Sequence, residues 1–240
     1  RLLSLMARKV GGAPVTGGVK LVVFDFDQTL SVIHVFKTLA GWAESDGPVQ
    51  VPRPYASTER GQVRRIQELD HSGVYKDGFA VAAFGGPQRV EQIRSCLLCL
   101  KEHGAELIIC TKGLIGAVRQ CLTSLDILSF FNEVYGNFGG DTYGATPYDK
   151  LVAKLEPSDL EMQLLGSPQQ ASWGTKPELI ARLMRERRLR REQAVIVEDD
   201  PEEIRRATPV CRTLWVKEAA GVTLQAMEAL QRMTAPEASH

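Results

Sequence analysis

No apolar stretch in this 240-residue chain approaches the roughly 20 residues that a membrane-spanning helix needs, so no membrane partner is expected. A dominant charge is lacking as well: Lys+Arg and Asp+Glu stand at 29 each. Without a net field there is no global attraction to nucleic acid or to an anionic surface, and no nucleic-acid partner is expected. A disulfide framework is also missing. The five cysteines (Cys96, Cys99, Cys110, Cys121 and Cys211) are odd in number and sit in apolar segments, which points to buried free thiols in a reducing compartment. Cys96 and Cys99 form a C-x-x-C, but inside a helical pattern and with no second pair to complete a zinc site. Internal repeats and low-complexity tracts are absent. With 44% hydrophobic and 24% charged residues, the chain has the composition of a globular protein, one domain or one domain with a modest insertion.

The sequence begins at Arg1, and Arg1 to Lys9 is apolar and basic, as the tail of a transit peptide or any frayed leader would be. Residues 1–17 are expected to form a poorly ordered leader. An intracellular, cytoplasmic location is expected, with organelle targeting left open. The basic run Arg185 to Arg191 reads as the solvated end of a helix, where cations suit the dipole.

Val19 to Phe24 is a short β-branched run of the kind buried on both faces of a parallel sheet. Further strands are expected at Leu107 to Cys110, Phe131 to Tyr135, Ala194 to Val197 and Val210 to Val216. Helical patterns lie around Val32 to Trp42, Thr58 to Leu69, from Pro87 to Gly104, Leu114 to Leu125, Tyr148 to Leu155, Pro177 to Arg188 and Val222 to Met233. Gly73 to Phe84 is ambiguous and favours a short extended segment. Alternating strands and helices imply βαβ units: an α/β fold with a Rossmann-like parallel sheet and helices on both faces.

Ligands bind such sheets outside the carboxyl ends of the strands. Three of the predicted strands end there in Asp25/Asp27, Thr111 and Glu198/Asp199. Hydrolysis of a phosphate monoester needs a nucleophile, a proton donor for the leaving group, and positive charge on the phosphoryl oxygens. Asp25 and Asp27 lie two apart in extended chain and so share a side. One carboxylate can attack phosphorus while the other gives and takes a proton. Glu198 and Asp199, with Asp25 and Asp27, supply oxygen ligands suited to Mg²⁺. The Thr111 hydroxyl and the amides of Lys112 and Gly113, just before a helix, are placed to hold phosphate oxygens. Lys176, before the next helix, is placed to neutralise the carboxylate–phosphate pair.

Asp25-Phe26-Asp27-Gln28-Thr29 resembles the D-x-D-x-T motif of the haloacid dehalogenase (HAD) superfamily. Thr111, Lys176 and Glu198-Asp199 resemble that family's second, third and fourth motifs, in order, over roughly Lys20 to Val216. The resemblance implies a HAD-like fold with Asp25 as nucleophile, Asp27 as general acid/base and Mg²⁺ as cofactor. In that family an Asp in the place of Asp27 excludes the dehalogenase branch, and a Thr in the place of Thr29 accompanies phosphatases. It also implies a core at 18–30 and 85–235, with a small, mainly helical cap at 31–84. The region Gly139 to Gly174 is too short for a large α/β cap.

The expected function is a Mg²⁺-dependent phosphatase acting on a phosphorylated small metabolite or phosphoprotein through an aspartyl-phosphate. A phosphotransferase or phosphomutase of the same fold, and a non-catalytic HAD-like binding module, are the alternatives. Lys150 and Lys112 compete with Lys176 for the third motif; Asp200 and Glu203 are further candidates near the metal. His34 and His71 read as packed or solvent-facing, and Trp42 and Trp173 as entrance or packing residues.

Overall fold

The computed structural model describes residues 18–43, 48–138, 146–155 and 159–236. The expected leader at 1–17, residues 44–47 of the expected cap, and residues 139–145 and 156–158 of the second insertion lie outside these. The strands are β1 (Leu21–Phe24), β2 (Glu106–Leu114), β3 (Glu133–Asn137), β4 (Ala194–Glu198) and β5 (Arg212–Trp215). They form one sheet, all pairs parallel, in the order β3-β2-β1-β4-β5. The α/β, Rossmann-like expectation holds.

The helices are α1 (Val35–Leu39), α2 (Glu59–Ser72), α3 (Phe79–Ala83), α4 (Pro87–Glu102), α5 (Ile115–Ser124), α6 (Pro147–Val152), α7 (Pro168–Ala171), α8 (Lys176–Glu186), α9 (Pro201–Ala207) and α10 (Leu224–Thr234). Alternation along β1 divides the core into two layers. Val22 and Phe24 face α4, α5 and α10, whereas Leu21 and Val23 face α8 and α9. Each is fully or almost fully buried, worth about 1.5–3 kcal/mol per large side chain. A polar residue on either face of β1 would lose that contribution. This explains the unbroken apolar run.

Several local expectations are corrected. The helix expected from Val32 to Trp42 is confined to α1, because Gly41 takes φ +71° and stops it. The segment after Gly73 holds the short helix α3 rather than an extended piece. The third strand starts at Glu133, since Leu128–Phe130 form a 3₁₀ turn. β2 runs past Cys110 to Leu114 with a register shift against β3, so Thr111 to Gly113 belong to the strand. Arg187 of the basic run does not simply face water: its guanidinium is bidentate to Glu106, at 2.5 and 2.6 Å. All five thiols are free; four are buried as expected, and Cys99 is partly exposed.

Segment 31–84 shares its buried side chains with the core. Ile33, Val35, Leu39, Ile66, Leu69, Phe79 and Phe84 belong to the same apolar cluster as α4 and α5. Asp149 ties α6 to the start of α2. It is buried and accepts from the Ser57 amide (3.0 Å), the Ser57 hydroxyl (3.2 Å), and the hydroxyls of Thr58 and Thr146 (2.9 Å each). Its Oδ1 lies so close to Gly61 that a Cβ there would meet it at 1.9 Å. Charged hydrogen bonds of this kind contribute about 1.5–3 kcal/mol each, and their loss is not additive. Asp149→Ala is expected to destabilise the protein by about 2–3 kcal/mol in urea unfolding, because four donors lose their shared acceptor.

Candidate active site

The parallel register builds the site. Phe24 pairs with Ile109 of β2 and Val197 of β4, so Asp25 emerges level with Cys110 and Glu198, with Thr111 and Asp199 one residue beyond. The Asp25 amide completes the ladder by donating to Val197 O at 2.9 Å. A cleft of about 580 Å³ opens over this edge, and Asp25, Asp27, Thr111, Lys112, Lys176, Glu198 and Asp199 all line it.

Lys176 is the buried centre of the constellation. Its Nζ lies 2.5 Å from Asp25 Oδ1 and 2.6 Å from Glu198 Oε2, and all three side chains are buried. The residue is delivered by a well-made helix start. Thr175 caps α8 by accepting from the Glu178 amide, Glu178 reaches back to the Thr175 amide, and Pro177 sits in the first turn. Burial works against the ammonium, but Asp25 and Glu198 outweigh it and hold Lys176 charged. Lys150 is exposed on α6, and Lys112 Nζ pairs with Glu203 at 2.8 Å at the cleft wall. Of the three candidate lysines, Lys176 alone meets Asp25.

Asp25, Glu198 and Asp199 can each offer an oxygen within 4.8 Å of the others. Hard oxygen donors crowded in a mostly buried place, with three carboxylates against one lysine, fit a hard divalent cation. Of the four carboxylates expected as ligands, Asp27 is the one whose side chain stands outside this group. Its Oδ1 accepts from the Val35 amide at 2.6 Å, and its Oδ2 lies 3.3 Å from His34 Nδ1. The start of α1 therefore turns Asp27 toward the cleft side. Glu203 and Asp200 are also outside the group: Glu203 accepts from Lys112, and Asp200 caps α9 through the Glu202 amide at 2.8 Å.

Burial, then the neighbouring Asp25, raise the Asp27 carboxyl to about 8, against the pull of the Val35 and Phe36 amides. Burial and Asp25 also push Glu198 up to about 8, opposed by Lys176. Asp25 is raised by burial, with Lys176 pulling the other way. An acid that stays protonated near neutrality beside a lysine-paired carboxylate is the division of labour that acid-assisted nucleophilic attack needs.

The same shifts predict a pH dependence in metal-free protein. Between the ordinary carboxyl range near 4 and about 8, the folded state binds more protons than the unfolded chain. Stability then falls as pH rises. In EDTA the melting temperature is expected to decline from about pH 5 to about pH 8, and Mg²⁺ to flatten that decline, as differential scanning fluorimetry would show.

Thr111 is buried within β2 and lines the cleft. The Gly113 amide donates to Thr111 Oγ1 at 3.0 Å, and the start of α5 is already served by Glu59, which accepts from the Gly116 amide at 2.8 Å. Gly113 remains close to the chemistry, since a Cβ there would sit 3.2 Å from Asp27 Oδ2.

Three residues gain roles that the sequence did not reveal. Thr29 Oγ1 donates to Asp199 Oδ1 at 3.1 Å, and Trp215 Nε1 donates to the backbone carbonyl of Asp199 at 3.0 Å, so one side chain orients the third carboxylate and another ties down its backbone. His34, read as packed or solvent-facing, lines the cleft beside Asp27; burial and Lys37 lower its pKa to about 4. Trp42 lines the cleft, whereas Trp173 donates to Gly136 O and packs against the α8 layer. His71 is exposed and bonds the Gln67 carbonyl.

Fold and site together define an α/β protein with a buried carboxylate–lysine centre at the carboxyl edge of a parallel sheet. No protein-family model matches the chain, and no curated protein matches it. Solved structures similar to it include a haloacid dehalogenase-like family hydrolase from Streptococcus pneumoniae (19% identity, 91% of this chain and 92% of that one, TM-score 0.42). The HAD domain of an effector protein from Legionella pneumophila is 12% identical over 91% of this chain and 96% of that one, with a TM-score of 0.49. A phospho-aspartyl intermediate analogue of phosphoserine phosphatase is 16% identical over 88% and 91%, with a TM-score of 0.43. Among the described residues, no helix is long and apolar enough to cross a membrane.

Proposed function

We propose that the chain is a Mg²⁺-dependent phosphatase of the HAD type, hydrolysing a phosphate monoester in two steps. The observation that carries this reading is the meeting of Asp25, Lys176, Glu198 and Asp199 beside Asp27, whose carboxyl burial raises to about 8. Asp25 attacks phosphorus, forming an acyl phosphate as the P–O bond to the leaving group breaks. Asp27 protonates the departing oxygen. Water then cleaves the aspartyl-phosphate, with Asp27 taking its proton. Lys176 holds Asp25 in place and offsets charge on the phosphoryl oxygens, and Thr111 contacts one of those oxygens. Mg²⁺, held by Asp25, Asp199 and Glu198, would neutralise the meeting of carboxylate and phosphate. Segment 31–84 acts as a small cap at the leaving-group side, through His34, Phe36, Lys37 and Trp42.

Phosphate release from para-nitrophenyl phosphate tests this. Turnover is expected with Mg²⁺ and a loss of at least about 10²-fold with EDTA, recovered on adding Mg²⁺ back. Turnover indifferent to EDTA would overturn the metal assignment. Turnover only when an acceptor alcohol is added would replace hydrolysis with phosphoryl transfer.

A further inference from the structure

We infer that His34 is a positioning residue for Asp27, holding its Oδ2 toward the oxygen that leaves the phosphoryl group. The inference rests on the proposed phosphatase reading for what Asp27 does there. The two oxygens of Asp27 meet different partners. Oδ1 accepts from the Val35 amide at 2.6 Å, and the Phe36 amide also bonds the carboxyl. An oxygen already taken by a backbone donor is the poorer seat for a proton, which leaves Oδ2 as the hydroxyl. Oδ2 lies 3.3 Å from His34 Nδ1, and a Cβ on Gly113 would come within 3.2 Å of it.

His34 has no competing task. It is the N-cap residue of α1, yet its side chain makes no capping bond. Its Nδ1 is sealed from solvent and makes no hydrogen bond among the described residues. A buried polar atom left in that state is uncommon and calls for a reason. Hydrogen bonds that serve catalysis are often long or poorly aligned before substrate binds, and tighten with it. A 3.3 Å approach without alignment is of that kind.

The chain around His34 is pinned on both sides. Its carbonyl accepts from the Thr38 amide and hydroxyl, both at 2.9 Å. The Ile33 carbonyl accepts from the Gln28 amide at 3.1 Å and the Ser31 hydroxyl at 2.7 Å. Ile33 and Val35 are buried in the core, while His34 between them lines the cleft. Burial and Lys37 hold the imidazole neutral, so it acts through a hydrogen bond rather than a charge. In one tautomer Nδ1 accepts from the acid. The proton itself passes from Asp27 Oδ2 to the leaving oxygen as the P–O bond breaks; His34 neither supplies nor keeps it.

An acid held in place matters most when the leaving oxygen is basic. The test is the ratio of kcat/KM for para-nitrophenyl phosphate to that for phenyl phosphate, whose leaving oxygen is the more basic, with the full chain and Mg²⁺. His34→Ala is expected to raise that ratio at least about tenfold over wild type. His34→Asn, whose amide nitrogen can occupy the place of Nδ1, should keep it within about threefold. In an Asp27→Asn background His34→Ala should add nothing to the ratio, because both changes remove one function. Each ratio comes from a single preparation, so a partly unfolded variant still reports it. Equal losses on both esters, or a rise that Asn does not repair, would make His34 a packing residue and overturn the inference. Hydrolysis with the ratio unmoved would overturn it alone. No hydrolysis of either ester by the wild type would overturn the phosphatase reading and this inference together.

Discussion

Asp25→Asn is expected to reduce phosphatase turnover by at least about 10³-fold while the protein keeps its fold. The amide has nearly the shape of the carboxylate but cannot act as the nucleophile that forms the acyl phosphate. Lys176 retains Glu198 at 2.6 Å, so its ammonium is not left without a counter-charge. The check is kcat on para-nitrophenyl phosphate together with a melting curve. Turnover that persists in a folded Asp25→Asn protein would remove Asp25 from the nucleophile's role. Asp27→Asn makes the companion measurement. It should cost about 10²–10⁴-fold on esters that need leaving-group protonation, and less on an ester with a weakly basic leaving oxygen.

Lys176→Met should be the most destabilising single change in the site. Lys176 is the cation between two buried carboxylates, and methionine fills most of its length, one heavy atom short, without the charge. Removing one partner of a buried pair costs roughly 3–5 kcal/mol, because the remaining charges stay desolvated. The loss should be largest near pH 8 in EDTA. It should shrink toward about pH 5, where Asp25 and Glu198 can protonate and need no counter-ion. Urea unfolding at the two pH values measures this, and an equal loss at both would show that Lys176 contributes packing rather than charge. Activity should fall with stability, since Asp25 would lose the group that holds it.

The clearly legible parts of the site were those written in local chain. Asp25 and Asp27 follow a buried β-branched run, Glu198 and Asp199 follow another, and Thr175, Pro177 and Glu178 announce the helix that carries Lys176. A strand-end acid and a capped helix start are short-range signals. The misread parts were set by neighbours distant in sequence. β2 continues to Leu114 because β3 is there to pair with it, although Thr111, Lys112 and Gly113 look like a loop. The Gly113 amide donates to Thr111 Oγ1 and the Gly116 amide at the start of α5 to Glu59 from α2, partners that no local signal announces. Nothing within five residues of Gly116 foretells Glu59.

His34 and Trp42 illustrate the same limit at the cleft. Each is a lone residue in a weak helical pattern, and the pattern itself overestimated α1 because Gly41 ends it. Only the packing of α1 over the sheet edge turns Asp27 away from the other carboxylates and into the Val35 amide. Sequence alone determined the parallel α/β architecture and most of the polar residues that gather at its carboxyl edge, because apolar periodicity and strand-end polar residues act over a few positions. Tertiary structure alone decided which carboxylates share Lys176, which one is held against α1 with its pKa raised to about 8, and which side chains line the cleft. Those outcomes depend on burial and on charges brought together from 22 to 151 residues apart.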